Sequence, residues 1–157
     1  MTGVLRPSSD AETYERFAPE LIRFATGLVG PSDAADVLSS AMMRAMSSPA
    51  WSTVANRRAY LYRVVCNEAS SLVRRNRQRS EREVRAVLRD EVSMPAIDPE
   101  VRAAVDALSV RQRSVVLLTY WADLDPAGIA LLLGISEGSV RRHLARARER
   151  LRRVLDG

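Results

Sequence analysis

The sequence predicts an all-α protein built as two small helical domains joined by a linker. Leu, Val and Ala recur at three- and four-residue spacing along most of the chain, and runs alternating between β-branched and polar residues are few. Gly and Pro are sparse, seven of each in 157 residues, so little of the chain reads as turn. A hydrophobic content of 46% is enough for a packed core and excludes a disordered chain.

The first helix is expected from Ser9 or Asp10 to about Val29, with Tyr14, Phe17, Leu21, Phe24, Ala25 and Leu28 on its inner stripe. Gly30-Pro31 stops it, and Ser32 is the expected cap of a second helix, "DAADVLSSAMMRAM", whose Asp33 and Asp36 suit its positive end. Val37, Leu38, Ala41, Met42 and Ala45 are its apolar positions, and "SSPAWST" reads as a loop. A long helix follows from about Ala55 to Asn76, with Leu61, Val64, Val65, Ala69, Leu72 and Val73 inward and a polar end, "RRNRQR". Residues 79–98, with Pro95 and Pro99 at their end, form the expected linker between domains 1–78 and 99–157.

Four short helices are expected in the second domain. Asp98-Pro99 opens one that runs to about Leu108, and Ser109 with Gln112 forms a capping box for the next, to about Ala122. Asp125-Pro126 opens the third, Gly134 is its left-handed stop, and Ser136 caps the last, to about Leu155. "GIALLLGISEGSVRRHL" has the spacing of a helix-turn-helix: Ala130 is small where helices cross, Gly134 turns the chain, and Val140 plugs the second helix into the core.

Charge gives the first functional clue. The net charge is +5, all 24 basic residues are arginine, and the pI is near 10.3, which points to a polyanionic partner. A GC-rich genome explains the missing lysine but not the clustering at Arg57–Arg63, Arg74–Arg79 and Arg141–Arg153. On the last helix, Val140, Leu144, Ala147, Leu151, Val154 and Leu155 make one apolar stripe, which leaves the arginines free to meet a partner. The N-terminal part of such a helix enters the DNA major groove. Ser139, Arg142 and Arg146 are the candidates for base edges, since Arg pairs bidentately with guanine. Arg141, His143 and Arg148 are candidates for phosphate, whereas Arg150, Arg152 and Arg153 come late and read as solvated.

Enzymatic chemistry finds no support. Cys66 is the only cysteine, which excludes an internal disulfide and a zinc knuckle, and with no His nearby in sequence it reads as a buried small hydrophobe. His143 has no second metal ligand at suitable spacing, and no phosphate-binding glycine loop is present. No catalytic residue, metal or cofactor is expected. The opening residues lack the apolar core of a signal peptide, and no apolar run approaches the ~20 residues that span a bilayer. The expectation is a soluble, cytoplasmic protein without membrane insertion.

From about Tyr14 to Leu155 the order of motifs resembles the extracytoplasmic-function group of the sigma-70 family, bacterial transcription initiation factors. "LSVRQRSVVLLTYWADLDPAGIALLLGISEGSVRRHLARARERLRRVL" is similar to the family's region-4 domain, which reads the minus-35 element. "DAADVLSSAMMRAM" resembles its polymerase-binding helix, and "RAYLYRVVCNEASSLVRRNRQR" its helix for the minus-10 element. The chain departs from the family at Ser39 and Ser40, which stand where Gln-Glu is common, and at Met46, which replaces an aromatic. It departs again at Ser71, in place of a frequent acidic residue, and at Gly128, in place of Glu.

The resemblance implies a polymerase subunit that binds core RNA polymerase, reads two elements of promoter DNA and holds open the melted strand. Asp33, Asp36, Val37, Ser40, Met43 and Arg44, together with Leu38 and Met42, are the implied polymerase face, with Asp36, Ser40, Met43 and Arg44 expected to be exposed. Tyr60, Arg63, Asn67, Ser71, Arg74, Arg75 and Arg77 are the implied minus-10 set. Asn67 offers a donor and an acceptor to an unstacked base, with Trp51, Tyr60 and Tyr62 as candidate walls, although core packing is the preferred reading of Trp51 and Tyr60. Arg74, Arg75, Arg77 and Arg79 read as a grip on phosphate, with Arg57 and Arg58 as weaker support. The resemblance also implies an anti-sigma partner that clamps the two domains through the 79–98 linker. Two alternatives stand beside it: a helix-turn-helix regulator whose first domain dimerises or senses a ligand, and an adaptor that mimics a sigma domain.

Overall fold

The computed structural model describes residues 7–82 and 98–157, and among these it contains helices and no strand. The first half comprises α1 (Pro7–Val29), α2 (Pro31–Ser47), a short 3-10 helix (Pro49–Thr53) and α3 (Arg57–Arg82). The second comprises α4 (Pro99–Asp106), α5 (Val110–Tyr120), α6 (Pro126–Leu133) and α7 (Glu137–Leu155).

Helix boundaries follow local chemistry. Gly30, at φ 87°, ends α1 and is the N-cap of α2, with Pro31 in the first turn. Ser32 is therefore not the cap the sequence suggested: Pro31 has its φ preset for a helix start and no N–H to satisfy, so the helix begins before Ser32. Asn56 caps α3, its Oδ1 accepting from the Ala59 N–H at 3.0 Å. The Ser109–Gln112 capping box forms in both directions, and the Asp98, Asp125 and Ser136 side chains cap α4, α6 and α7. Gly134 adopts φ 67°, the left-handed stop that α6 requires. "SSPAWST" is not a plain loop, because Pro49–Thr53 forms a 3-10 turn capped by Ser48.

α3 runs through Arg82, across the expected boundary at residue 78, since nothing in "QRSER" breaks a helix. Residues 83–97 of the expected linker lie outside the described residues.

Leu21, Leu28, Leu61 and Val65 are fully buried among α1, α2 and α3, and Val115, Leu118, Ile129 and Val140 among α5, α6 and α7. Replacing one of the buried leucines by Ala would cost about 2–5 kcal/mol. The two sets form one continuous core, because α5 packs on α1 and α3, and α6 packs on α3. On α3 the buried positions include Tyr62 and Cys66 besides Leu61, Val65 and Ala69, whereas Val64, Leu72 and Val73 are only half-buried. Tyr14, expected on the inner stripe of α1, is 45% exposed. It lines a shallow groove between α1 and α2 with Pro19, Ile22, Ala35 and Ser39.

Candidate nucleic-acid and polymerase interface

α7 owes its position to its start. Gly134 turns the chain, the Ser136 hydroxyl accepts from the Ser139 N–H at 3.1 Å, and fully buried Val140 anchors the first turn against the core. Val140 and Ala147 are buried and Leu144 is half-buried, but Val154 and Leu155 are 49% and 48% exposed. The apolar stripe thus outruns the core, which ends before the last turn of the helix.

Arg141, Arg142, Arg146 and Arg148 are exposed, as the sequence implied, whereas Ser139 and His143 are half-buried. The Ser136 hydroxyl donates to Ser139 Oγ at 3.0 Å, and Arg142 Nη2 donates to the same oxygen at 3.1 Å. Arg142 is held over the first turn, where a groove-binding helix meets base edges. Arg141 forms an i,i+4 pair with Glu137 at 3.6 Å. Burial, with Arg111, Arg146 and Arg142 nearby, holds the His143 imidazole below its ordinary pKa. At pH 7 it is therefore neutral, a hydrogen-bond donor that carries no charge.

Asn67, Ser71, Arg74 and half-buried Tyr60 lie within roughly 40° of one line along α3 at about 100° per residue, opposite the buried stripe. Arg63 and Arg75 flank that line at roughly 60°, whereas Arg77 points roughly 100° away and leaves the strip. Arg63 is exposed but engaged: its Nη2 donates to the Leu131 carbonyl of α6 at 2.9 Å.

The candidate walls divide. Trp51 is only 5% exposed, its Nε1–H donating to Asp10 Oδ1 at 2.9 Å and its ring lying 4.6 Å from the Arg57 guanidinium. Tyr62 is buried against Phe24, with ring centres 4.9 Å apart, and burial raises its phenol pKa. Neither is a free wall, because both rings are needed to close the three-helix core. Tyr60, tilted against Trp51 at 5.9 Å, stays partly open beside Asn67. Arg57 and Arg58 are also spoken for: Arg57 Nη1 donates to Ser9 and Thr13, and Arg58 Nε pairs with Glu20 at 2.7 Å.

On α2, Val37, Leu38 and Met42 face inward, so Val37 belongs to the core and not to the polymerase face. Its i+4 partner Ala41 and neighbour Leu38 share that stripe, which buries it whatever binds outside. Asp36, Ser39, Ser40, Met43 and Arg44 face outward, Asp33 is half-buried, and Met43 is 71% exposed. Arg44 Nε pairs at 2.6 Å with Glu68, whose side chain is only 10% exposed, which ties α2 to the helix that carries Asn67.

Sequence reasoning missed Arg113 and Tyr120. Arg113 is buried although charged, with Nη1 donating to the Leu28 carbonyl and Nη2 to the Leu108 carbonyl at 2.9 Å. Its signal was an arginine in phase with Val110 and Leu117 on an inward face. Among the described residues no group of three His, Cys, Asp or Glu side chains is placed to hold a metal, and no helix is long and apolar enough to cross a membrane.

Two protein families match the chain: residues 13–79 match Sigma-70 region 2, and residues 99–151 match Sigma-70, region 4. An RNA polymerase sigma-E factor of Streptomyces antibioticus is 34% identical over 143 residues, covering 87% of this chain and 78% of that protein. Its counterpart in Streptomyces coelicolor is 32% identical over 152 residues, covering 92% and 85%. The fold is similar to that of the sigma factor RpoE from Bartonella quintana, solved with the anti-sigma factor NepR, at TM-score 0.70 and 22% identity over 93% of this chain and 96% of that one. It is also similar to CnrH, solved with the cytosolic domain of CnrY, at TM-score 0.66 and 21% identity over 97% and 90%.

Proposed function

The chain belongs to the sigma-70 family of bacterial RNA polymerase initiation factors, in its extracytoplasmic-function group, and from that premise we propose how its residues divide the work. As a sigma factor it binds core RNA polymerase, recognises minus-35 and minus-10 promoter elements and promotes melting. It works as a subunit in the cytoplasm and leaves the chemistry of RNA synthesis to the polymerase.

The minus-35 element is read by α7, with Arg142 and Arg146 at base edges and Arg141, Arg148 and neutral His143 at phosphates. Ser139 orients Arg142 through their hydrogen bond and adds a polar contact of its own. The exposed strip of α3 takes the minus-10 element: Asn67 and Ser71 meet an unstacked base beside Tyr60, while Arg74 and Arg75 hold backbone phosphate. Arg77, off the strip, adds long-range charge. The polymerase meets Asp36, Ser40, Met43 and Arg44, with Asp33 at the edge, and Met43 supplies an adaptable apolar contact. Residues 1–78 take the polymerase and the minus-10 element and residues 99–157 the minus-35 element, with the 79–98 segment between them. An anti-sigma partner is proposed because one similar fold was solved with the anti-sigma factor NepR and the other with the cytosolic domain of CnrY.

The observation that carries the reading is the strip itself: Tyr60, Asn67, Ser71 and Arg74 share one open face of a helix whose opposite face is core. In vitro initiation with core polymerase and fragments of the host genome tests it. Transcript starts that depend on the protein and share two upstream motifs are expected, with Asn67→Ala reducing opening at those starts.

A further inference from the structure

We infer that the two halves hold each other closed by exchanging arginines, and that this clasp draws Arg63 partly away from nucleic acid. The last turns of α1 and α6 contain no basic residue to meet their free carbonyls. Each half supplies the other's missing cation. Arg113 of α5 reaches the Leu28 carbonyl in the last turn of α1, and Arg63 of α3 reaches the Leu131 carbonyl in the last turn of α6 at 2.9 Å. A guanidinium at a helix C-terminus satisfies an orphan acceptor and meets the negative end of the helix dipole.

The seam around these contacts is shaped to fit. A Cβ on Gly134 would meet Arg63 Nε at 2.6 Å, so the turn glycine is also the seat of the clasp. A Cβ on Gly27 would meet Leu117 Cδ1 at 2.6 Å, so α1 approaches α5 closely. Between the two arginines, Cys66 Sγ and Ser114 Oγ lie 3.3 Å apart in a buried hydrogen bond from α3 to α5. Buried Arg113 is further held by the Asp106 and Leu108 carbonyls. It is thus fixed to the second half and reaches across to the first.

Arg63 flanks the strip of α3 that carries Asn67. While Arg63 Nη2 holds the Leu131 carbonyl, the guanidinium is drawn toward α6 and fewer of its N–H groups are left for a phosphate on that strip, so the closed chain offers a weaker minus-10 surface. That last step rests on the reading of α3 given above, whereas closure itself does not.

Spin labels at exposed Ser52 and Ala103, placed by Ser52→Cys and Ala103→Cys in the full chain, report the separation of the halves; buried Cys66 escapes labelling. Electron resonance distances without DNA or polymerase are expected to give one narrow population. Arg63→Ala, at an exposed position, and Gly27→Leu, a wedge that favours helix, are each expected to shift the distances longer and broaden them while helical circular dichroism stays unchanged. A broad distribution in the parent chain would overturn the clasp, as would narrow distributions identical to the parent in both variants. Failure of the minus-10 reading would leave these distances unaffected.

Discussion

Arg148 Nε donates to the Tyr120 hydroxyl at 2.7 Å, and the same guanidinium lies 5.6 Å from the centre of the Tyr120 ring. The pair joins the end of α5 to the middle of α7 and leaves both terminal nitrogens of Arg148 free for a phosphate. Arg148→Ala is expected to weaken promoter binding about equally on matched and scrambled minus-35 sequences and to lower the salt slope by about one. Tyr120→Phe keeps the ring and loses the anchor, so its loss is smaller, about 0.5–1.5 kcal/mol. Holoenzyme binding to promoter duplex over a salt series measures both.

Arg142 is expected to behave differently. Held over the first turn of α7 by Ser139, it is the proposed reader of base edges, and Arg142→Ala should cost about 1–3 kcal/mol on the preferred minus-35 element and little elsewhere. Selection of promoters from a randomised minus-35 library would show the motif relaxing at one or two positions.

Trp51 tests the structural half of the minus-10 site. Its ring closes the core and its N–H is held by Asp10, so Trp51→Ala should destabilise the chain by about 3–5 kcal/mol in urea unfolding. A pocket wall without a core role would change melting and leave stability untouched.

Much of this arrangement was legible in the residues. Periodicity gave the helices, and Ser109–Gln112, Asp125-Pro126, Gly134 and Ser136 marked boundaries the structure keeps, because caps and left-handed stops are local chemistry. Individual burial was less legible. Val37 and Met43 look alike in composition, yet one is 4% exposed and the other 71%, and only the direction of the neighbouring helices decides. The packing of α3 and α1 on α5 and α6 was not legible at all. It brings Arg63 and Arg113 to carbonyls 68 and 85 residues away and joins two apolar clusters into one core, which no local pattern encodes.

Cys66 provides a pH prediction. Burial pushes its thiol up to about 11, against an ordinary value of 9.0, so the protonated form is favoured in the fold. A raised pKa contributes stability that is complete below the unfolded value and is lost as pH rises through about 11. Ellman's reagent at pH 8 should therefore react with Cys66 only after urea unfolding, and Cys66→Ser should flatten the alkaline fall in stability.

The central claim is that one open face of α3 captures the melted strand. Permanganate footprinting of thymines in open complexes reads this directly, comparing the parent holoenzyme with Asn67→Ala at saturating promoter occupancy. The account predicts reactive minus-10 thymines with the parent, and reactivity reduced several-fold with Asn67→Ala while minus-35 protection is retained. Equal reactivity in the two complexes would contradict it.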